Sequence, residues 1–378
     1  MPVLDQSRDD RACRQAQERG QFLARQDRWE DLSQEIRDAD AARETTPGGM
    51  PIAELLAYGA RADVIHAVEH ALQDGKSGRE RPLIEGISML EELRMEYEDD
   101  PFINVIVALA HVDTAWAWRG NGNDAAVPRA RRERFAAHFD RAEALMRPLL
   151  SEATQSPILA SAGCALLAGQ KGPLGKAADL YEKLIDLDPQ NQRHMRALGN
   201  HMLPRWFGSY DELELEARRT ASRTQNVWGA GGYTWVCFDA ITIDEEACAR
   251  VDVPFFIDGL QDIIKARPNQ EMVNLLAAYC AIALRNGLGL NEEADLARLQ
   301  IAEAANWLIR DHLTELHPMI WAHAADGFDN NARITSASRF AARGRADALH
   351  VIADMFQDEI SRGLHVTFTP NGTKLRPI

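Results

Sequence analysis

The sequence predicts an all-α protein of stacked helix pairs, closed by a short extended or hairpin tail. Three observations carry that expectation. Apolar residues recur at helical spacing along nearly the whole chain. Asp100-Pro101, Asp188-Pro189 and Arg267-Pro268 each close one amphipathic helix and introduce another. Proline suits such a joint because it lacks a backbone donor and its ring disfavours helix in the residue before it. The intervals between the joints hold about two units of roughly 40 residues each, the size of a helical repeat. Almost nothing before the tail argues for strand.

The 378 residues are 46% hydrophobic and 26% charged, ample for a sizeable core. The formal net charge of -15 argues against nucleic acid or an anionic membrane surface as partner, since both are bound through Lys and Arg. Arg129, Arg131, Arg132 and Arg134 form a basic run, but acidic residues follow closely, the pattern of a solvated helix face. The N-terminal MPVLDQSRDDRACRQAQERG has no apolar core of a secretory signal. No apolar run approaches the ~20 residues that span a bilayer. Cys13, Cys164, Cys237, Cys248 and Cys280 are scattered, odd in number and free of CxxC pairs. A reducing, cytoplasmic setting is the expectation.

Taken in order, two helices are expected between Asp9 and Arg43, broken near Asp27. The TTPGGMP segment, Thr45 to Pro51, reads as a break and candidate junction. Helices follow over Ile52 to Gly59, Ala62 to Asp74 and Leu83 to Glu98, the last with Leu83, Ile87, Leu90 and Leu93 on one stripe. Phe102 to Arg119 is nearly all apolar, which requires burial on several sides. After the loop from Gly120 to Pro128, Arg131 to Leu150 is amphipathic. A small-residue helix, ILASAGCALLAG, is separated by the turn KGPLG from a second helix, AADLYEKLIDL. Further helices are expected from Gln190 to Leu203, Ser209 to Arg223, Tyr233 to Ile243 and Pro254 to Ala266. Ser209 and Glu212 read as a capping box. The remaining helices run from Glu271 to Arg285, Glu292 to Asp311 and Pro318 to Ala325, with a last pair between Ser336 and Arg362. In LHVTFTPNGTKLRPI, Val366 and Phe368 alternate with Thr before a Pro-Asn-Gly turn. The expected division is an N-terminal helical region over 1–100, a repeat region over 101–363 and a tail over 364–378.

Ile158 to Asn191 resembles a tetratricopeptide repeat. Ala165 and Ala177 fall at its close-packing positions, Tyr181 at the aromatic position of its second helix and Pro189 at its terminal proline. Ser161 and Ala168 depart from the pattern, where large residues are usual. PRWFGSYDELE, which follows, is similar to a segment of uncharacterised bacterial tetratricopeptide-like proteins. The resemblance implies a right-handed α-α superhelix that binds a partner. It carries no catalytic residue with it.

Few residues point to chemistry. His66, Glu69 and His70 match the H-x-x-E-H of inverted zinc peptidases, with both histidines one turn apart. Val64, Ile65, Val68 and Leu72 make that helix's apolar face, which turns the motif toward solvent. GQKGPLGKAAD misses the spacing and hydroxyl of a phosphate loop, and DGFDNN lacks that of a calcium loop. His317, His323 and Asp326 are neighbours in sequence alone. No serine sits in G-x-S-x-G.

A denser signal lies between Trp206 and Phe238, which holds Trp206, Phe207, Tyr210, Trp228, Tyr233, Trp235 and Phe238 with Gly208, Gly229, Gly231 and Gly232 interleaved. Large rings beside glycine serve a recognition surface, giving contact area at low entropy cost. The same residues could equally fill the gaps between stacked helices. Trp116 and Trp118 cannot share one helix face at i and i+2. The expectation is a non-catalytic scaffold that needs no cofactor or metal. It would hold a neutral or basic peptide or protein through Trp206, Tyr210, Trp228, Tyr233 and Trp235. A metal-dependent hydrolase at His66, Glu69 and His70 is the alternative, and self-association a third reading.

Overall fold

The computed structural model describes residues 1–73, 81–120, 127–151, 155–170, 177–206, 208–327, 334, 336–369 and 372–377. The turn KGPLG, most of the loop after Gly120, Phe207, the Phe328–Asn331 stretch and Pro370-Asn371 lie outside the described residues, as does the side chain of Leu83. Described residues are overwhelmingly helical, with one two-stranded antiparallel sheet at the C-terminus. The chain divides into two compact units, Arg11–Asn191 and Gln192–Ile378 with Met1–Asp10.

The first unit runs through α1 (Arg8–Arg25), α2 (Trp29–Ala42), α3 (Ile52–Gln73), α4 (Arg81–Glu96), α5 (Pro101–Arg119), α6 (Arg129–Met146), α7 (Pro157–Ala165) and α8 (Ala177–Leu187). The break near Asp27 is real: Asp27 takes a left-handed φ of 56°, and its carboxylate accepts the indole N–H of Trp29 at 3.0 Å. Such a φ favours residues with short polar side chains.

One continuous helix replaces the expected pair from Ile52 to Asp74. Gly59 interrupts nothing. A Cβ there would lie 2.0 Å from the carbonyl oxygen of Gln17, and one on Gly20 would lie 2.1 Å from that of Leu56. The two glycines are close-approach points where α1 and α3 cross. TTPGGMP is a tight hairpin joining α2 to α3. Thr45 and Pro51 pair across it, Thr46 N–H donates to the Met50 carbonyl at 2.9 Å, and Gly49 takes a φ of 89°.

Asp100 caps α5, accepting the N–H groups of Phe102 and Ile103 at 2.9 and 3.1 Å, with Pro101 in the first turn. That helix is buried along most of its length. Asp40, near the end of α2, accepts from Ser156 Oγ at 2.6 Å and from Ile158 N–H at 2.9 Å, so it assists Ser156 at the start of α7. Next along, Arg43 donates to the carbonyls of Gln155 and Leu187.

The second unit contains α9 (Gln192–Met202), α10 (Tyr210–Arg223), α11 (Gln225–Trp228), α12 (Gly231–Ile243), α13 (Glu245–Arg250), α14 (Val253–Ala266), α15 (Gln270–Ala281), α16 (Glu292–Ala302), α17 (Ala304–Trp307), α18 (Pro318–Asp326), α19 (Ala337–Met355) and α20 (Gln357–Ser361). Its axis is α12, buried from Gly231 through Ile241. Helices approach it at glycines. A Cβ on Gly199 of α9 would lie 1.8 Å from the Val236 carbonyl oxygen, and one on Gly259 of α14 would lie 1.9 Å from Thr234 Oγ1.

Side-chain oxygens at Ser209, Asp244, Asp252, Asn269 and Asn291 accept backbone N–H groups and fix where α10, α13, α14, α15 and α16 begin. At Ser209 the hydroxyl also donates to Glu212 Oε2, a variant of the expected capping box. The single helix expected from Glu292 to Asp311 is instead α16, α17 and a π-helical turn, Leu308–His312. Gln270 and Asn274 bind the backbone between His312 and His317, which holds that turn in place.

The tail forms β1 (Leu364–Thr369) and β2 (Gly372–Pro377), in register from Leu364↔Pro377 to Thr369↔Gly372. It docks through Thr373 Oγ1 on the Arg310 carbonyl and through Phe368 edge-on to Phe356.

Candidate functional site

The structure redistributes the five aromatic residues expected to form a contact surface. Trp228, Tyr233 and Trp235 are fully buried. Trp228 meets Trp235 edge-on at 5.9 Å, Trp235 tilts on Phe238 at 5.2 Å, and Phe238 stacks on Tyr279 at 3.8 Å. The Tyr233 hydroxyl donates to Glu214 at 2.7 Å and accepts the Asp252 N–H at 2.9 Å. These three rings are core, which corrects the surface expectation. The cause lies in the interleaved glycines: Gly231 and Gly232 admit α14 and α10 to within backbone contact of α12, sealing its rings inside. Trp206 and Tyr210 remain half-buried. Trp206 packs on His201, while the Tyr210 ring lies under Arg250. Trp116 packs edge-on against Phe135 and Phe139, whereas Trp118 lies under Arg134.

His66 and His70 are exposed, on the opposite side of α3 from buried Ile65 and Val68. Among the described residues no group of three His, Cys, Asp or Glu side chains is placed to hold a metal ion. Four of the five cysteines are buried, and burial pushes the Cys164 thiol up to about 12, away from reactivity.

Two constellations emerge that the sequence did not single out. The first is a groove of about 880 Å³ lined by α1, α2, the start of α3 and the hairpin between α2 and α3. Ala12, Ala16, Ala39, Ile52 and Leu56 supply apolar lining, and Phe22, 48% exposed, stands at the groove as an apolar anchor. Glu18, Glu35, Asp38 and Glu44 supply four carboxylates. Arg19, the one cation among the lining residues, is committed to Glu35 through hydrogen bonds at 3.2, 3.1 and 2.5 Å. Three acidic groups therefore face the groove without a lining cation. The hairpin contributes Glu44, Thr45, Thr46 and Pro47 to the groove's lining.

The second is a polar chain across α4, α5 and α6. Buried His111 lies between Glu91, with Nε2 3.0 Å from Oε1, and His138, with the two Nδ1 atoms 2.9 Å apart. Arg141 grips Glu91 with two hydrogen bonds at 2.6 and 2.7 Å. Burial alone would raise the Glu91 carboxyl. The hydrogen bonds from Arg141 and His111 overcome that and hold it well below the usual carboxylate range. Burial, with His111 and Arg134 nearby, lowers His138 to about 4. The signal for this chain was a single histidine in the apolar run FINVIVALAHVDTAWAW, where a buried imidazole needs partners on both nitrogens.

Set against models of known protein families, curated proteins and solved structures, the chain matches none.

Proposed function

We propose that the protein is a non-catalytic helical scaffold that binds a short basic segment of a partner protein, anchored by apolar side chains, in the α1–α2–α3 groove. One observation carries this reading: an apolar trough with a surplus of carboxylates. A ligand site is usually concave and largely apolar, with few polar groups that fix orientation. Here every unmatched lining charge is negative, so a Lys- or Arg-bearing segment gains Coulomb energy where an acidic one is repelled. Its apolar residues would cover Phe22 and the alanine-lined floor.

The helical scaffold is read as a tetratricopeptide-like α-α superhelix around α7 and α8. Support comes from buried Ala177 and Tyr181, although at the first close-packing position it is Ala162 that is buried and Ala165 half-exposed.

The test is fluorescence anisotropy with a labelled peptide of alternating Lys and Leu clusters and its Glu-for-Lys counterpart. The basic peptide is expected to bind, more weakly as added salt shortens the Debye length from ~10 Å at 0.1 M to ~3 Å at 1 M. Equal binding of both peptides would remove the reading.

A further inference from the structure

The C-terminal hairpin has an open strand edge whose charge is opposite to that of the chain. From Arg362 onward the sequence holds Arg362, His365, Lys374 and Arg376 and neither aspartate nor glutamate, in a protein of net charge -15. Lys374, Leu375, Arg376 and Pro377 are exposed, and among the described residues neither Lys374 nor Arg376 forms an ion pair. We propose that β2 is a docking edge for an extended acidic segment of a partner protein, which adds to the hairpin as a third strand.

The register decides which backbone groups are available. Two residues separate Thr369 from Gly372, so this closing pair exchanges both of its backbone hydrogen bonds. Bonded and open pairs alternate along an antiparallel ladder, which makes Thr367–Lys374 and His365–Arg376 bonded pairs as well. On β2 the N–H and C=O groups of Thr373 and Leu375 therefore point away from β1. No other described residue hydrogen-bonds to these four groups. Such a row is the template that an incoming strand pairs with. Thr373 Oγ1, donating to the Arg310 carbonyl at 2.8 Å, fixes the start of the strand, so little ordering is lost when a partner adds to it.

Side-chain alternation specifies the partner's chemistry. Thr373 and Leu375 share a face with Phe368, which packs on Phe356, while Lys374 and Arg376 share the opposite face with His365 and Thr367. An added strand sets one row of side chains beside Lys374 and Arg376 and the alternate row beside Leu375, 45% exposed. Carboxylates match the first row and β-branched apolar residues the second. A second copy is ill suited. Antiparallel pairing of β2 with itself, through Leu375 and Leu375 or through Thr373 and Leu375, sets Lys374 opposite Arg376 or Lys374 of the other copy. Like charges directly opposite destabilise a ladder.

Fluorescence anisotropy on the full chain tests the edge, with a labelled peptide of alternating Glu and Val and its Gln-for-Glu counterpart. Wild type should bind the Glu peptide roughly 5-fold tighter than the Gln peptide, the combined effect of two opposite-charge cross-strand pairs. Lys374→Glu combined with Arg376→Glu should bind the Gln peptide as wild type does and lose the preference. Leu375→Ala, which keeps the outward N–H, should bind both peptides. Leu375→Pro should bind neither, because proline deletes that N–H, which the hairpin's own ladder does not use. A Glu peptide bound no tighter than the Gln peptide overturns the charge match. Binding unchanged by Leu375→Pro overturns strand addition. Self-association that rises with concentration and is lost in Leu375→Pro would make a second copy the occupant and overturn the acidic partner. The groove peptide is basic, so failure of either reading leaves the other's measurement unchanged.

Discussion

Replacing Gly199 with alanine tests the packing of the second unit through the sign of one stability change. An ideal Cβ on Gly199 stands 1.8 Å from the Val236 carbonyl oxygen and 2.8 Å from its carbon, where real Cβ atoms essentially never approach below 3.0 Å. The obstruction is backbone of α12, which no rotamer change relieves. To accept the methyl group, α9 must retreat by about 1.2 Å, and a gap of 0.5–1 Å already forfeits a quarter to a half of each dispersion contact. Overpacking of this kind costs ~1–3 kcal/mol, and obstruction by backbone places Gly199→Ala at ~3 kcal/mol. At ~2–4 °C per kcal/mol for a unit of this size, the midpoint should fall by roughly 6–12 °C. The assay is thermal unfolding followed by circular dichroism. Were α9 not seated on α12, the same substitution would stabilise the helix by ~1 kcal/mol, since alanine is the better helix former. A raised midpoint therefore refutes the packing.

Two further outcomes follow from the described contacts. Trp235→Ala removes a buried ring of the α12 core and should cost ~3–5 kcal/mol in chemical denaturation, while leaving groove affinity unchanged once the protein is folded. Burial raises the Asp40 carboxyl above its ordinary value despite the hydrogen bonds from Ser156 and Ile158. The folded state thus holds that proton more tightly than the unfolded chain. The stability this confers is complete below the unfolded pKa of 3.8 and is lost as pH rises through the raised folded value. Stability of wild type relative to Asp40→Asn should decline across that window, and a difference curve that rises with pH would contradict the burial argument.

The all-α class, the X-Pro joints and the hairpin tail are legible in the sequence because each rests on local chemistry. Asp100 caps α5 at its own proline, and Thr and aromatic residues alternate in β1. Glycines were the hard residues. Gly59, Gly231 and Gly232 read as breaks or loops because a glycine in a string does not say whether the backbone bends or another helix approaches. Here each of the three lies within a helix, and backbone or side chains of another helix occupy the space of the missing Cβ.

That ambiguity also misplaced the candidate site. Rings flanked by helix-contact glycines are core, and three of the five expected contact residues went inside with them. The groove is not legible in the sequence because Glu18, Glu35 and Glu44 come from separate segments, brought together by the crossing of α1 and α3 and the turn at Thr45–Pro51. The His111–His138 pair joins α5 to α6 across 27 positions of sequence, and spacing alone does not pair them.

The most direct measurement is isothermal titration of the basic Lys–Leu peptide into wild type and into the combined Glu18→Lys, Asp38→Lys, Glu44→Lys variant, with Trp206→Ala as reference. Reversing three unmatched lining charges should weaken binding by at least ~10-fold, equivalent to ~1.4 kcal/mol, and Trp206→Ala should bind as wild type does. Affinity unchanged by the reversal, or lost in Trp206→Ala alone, would contradict the groove as the binding surface.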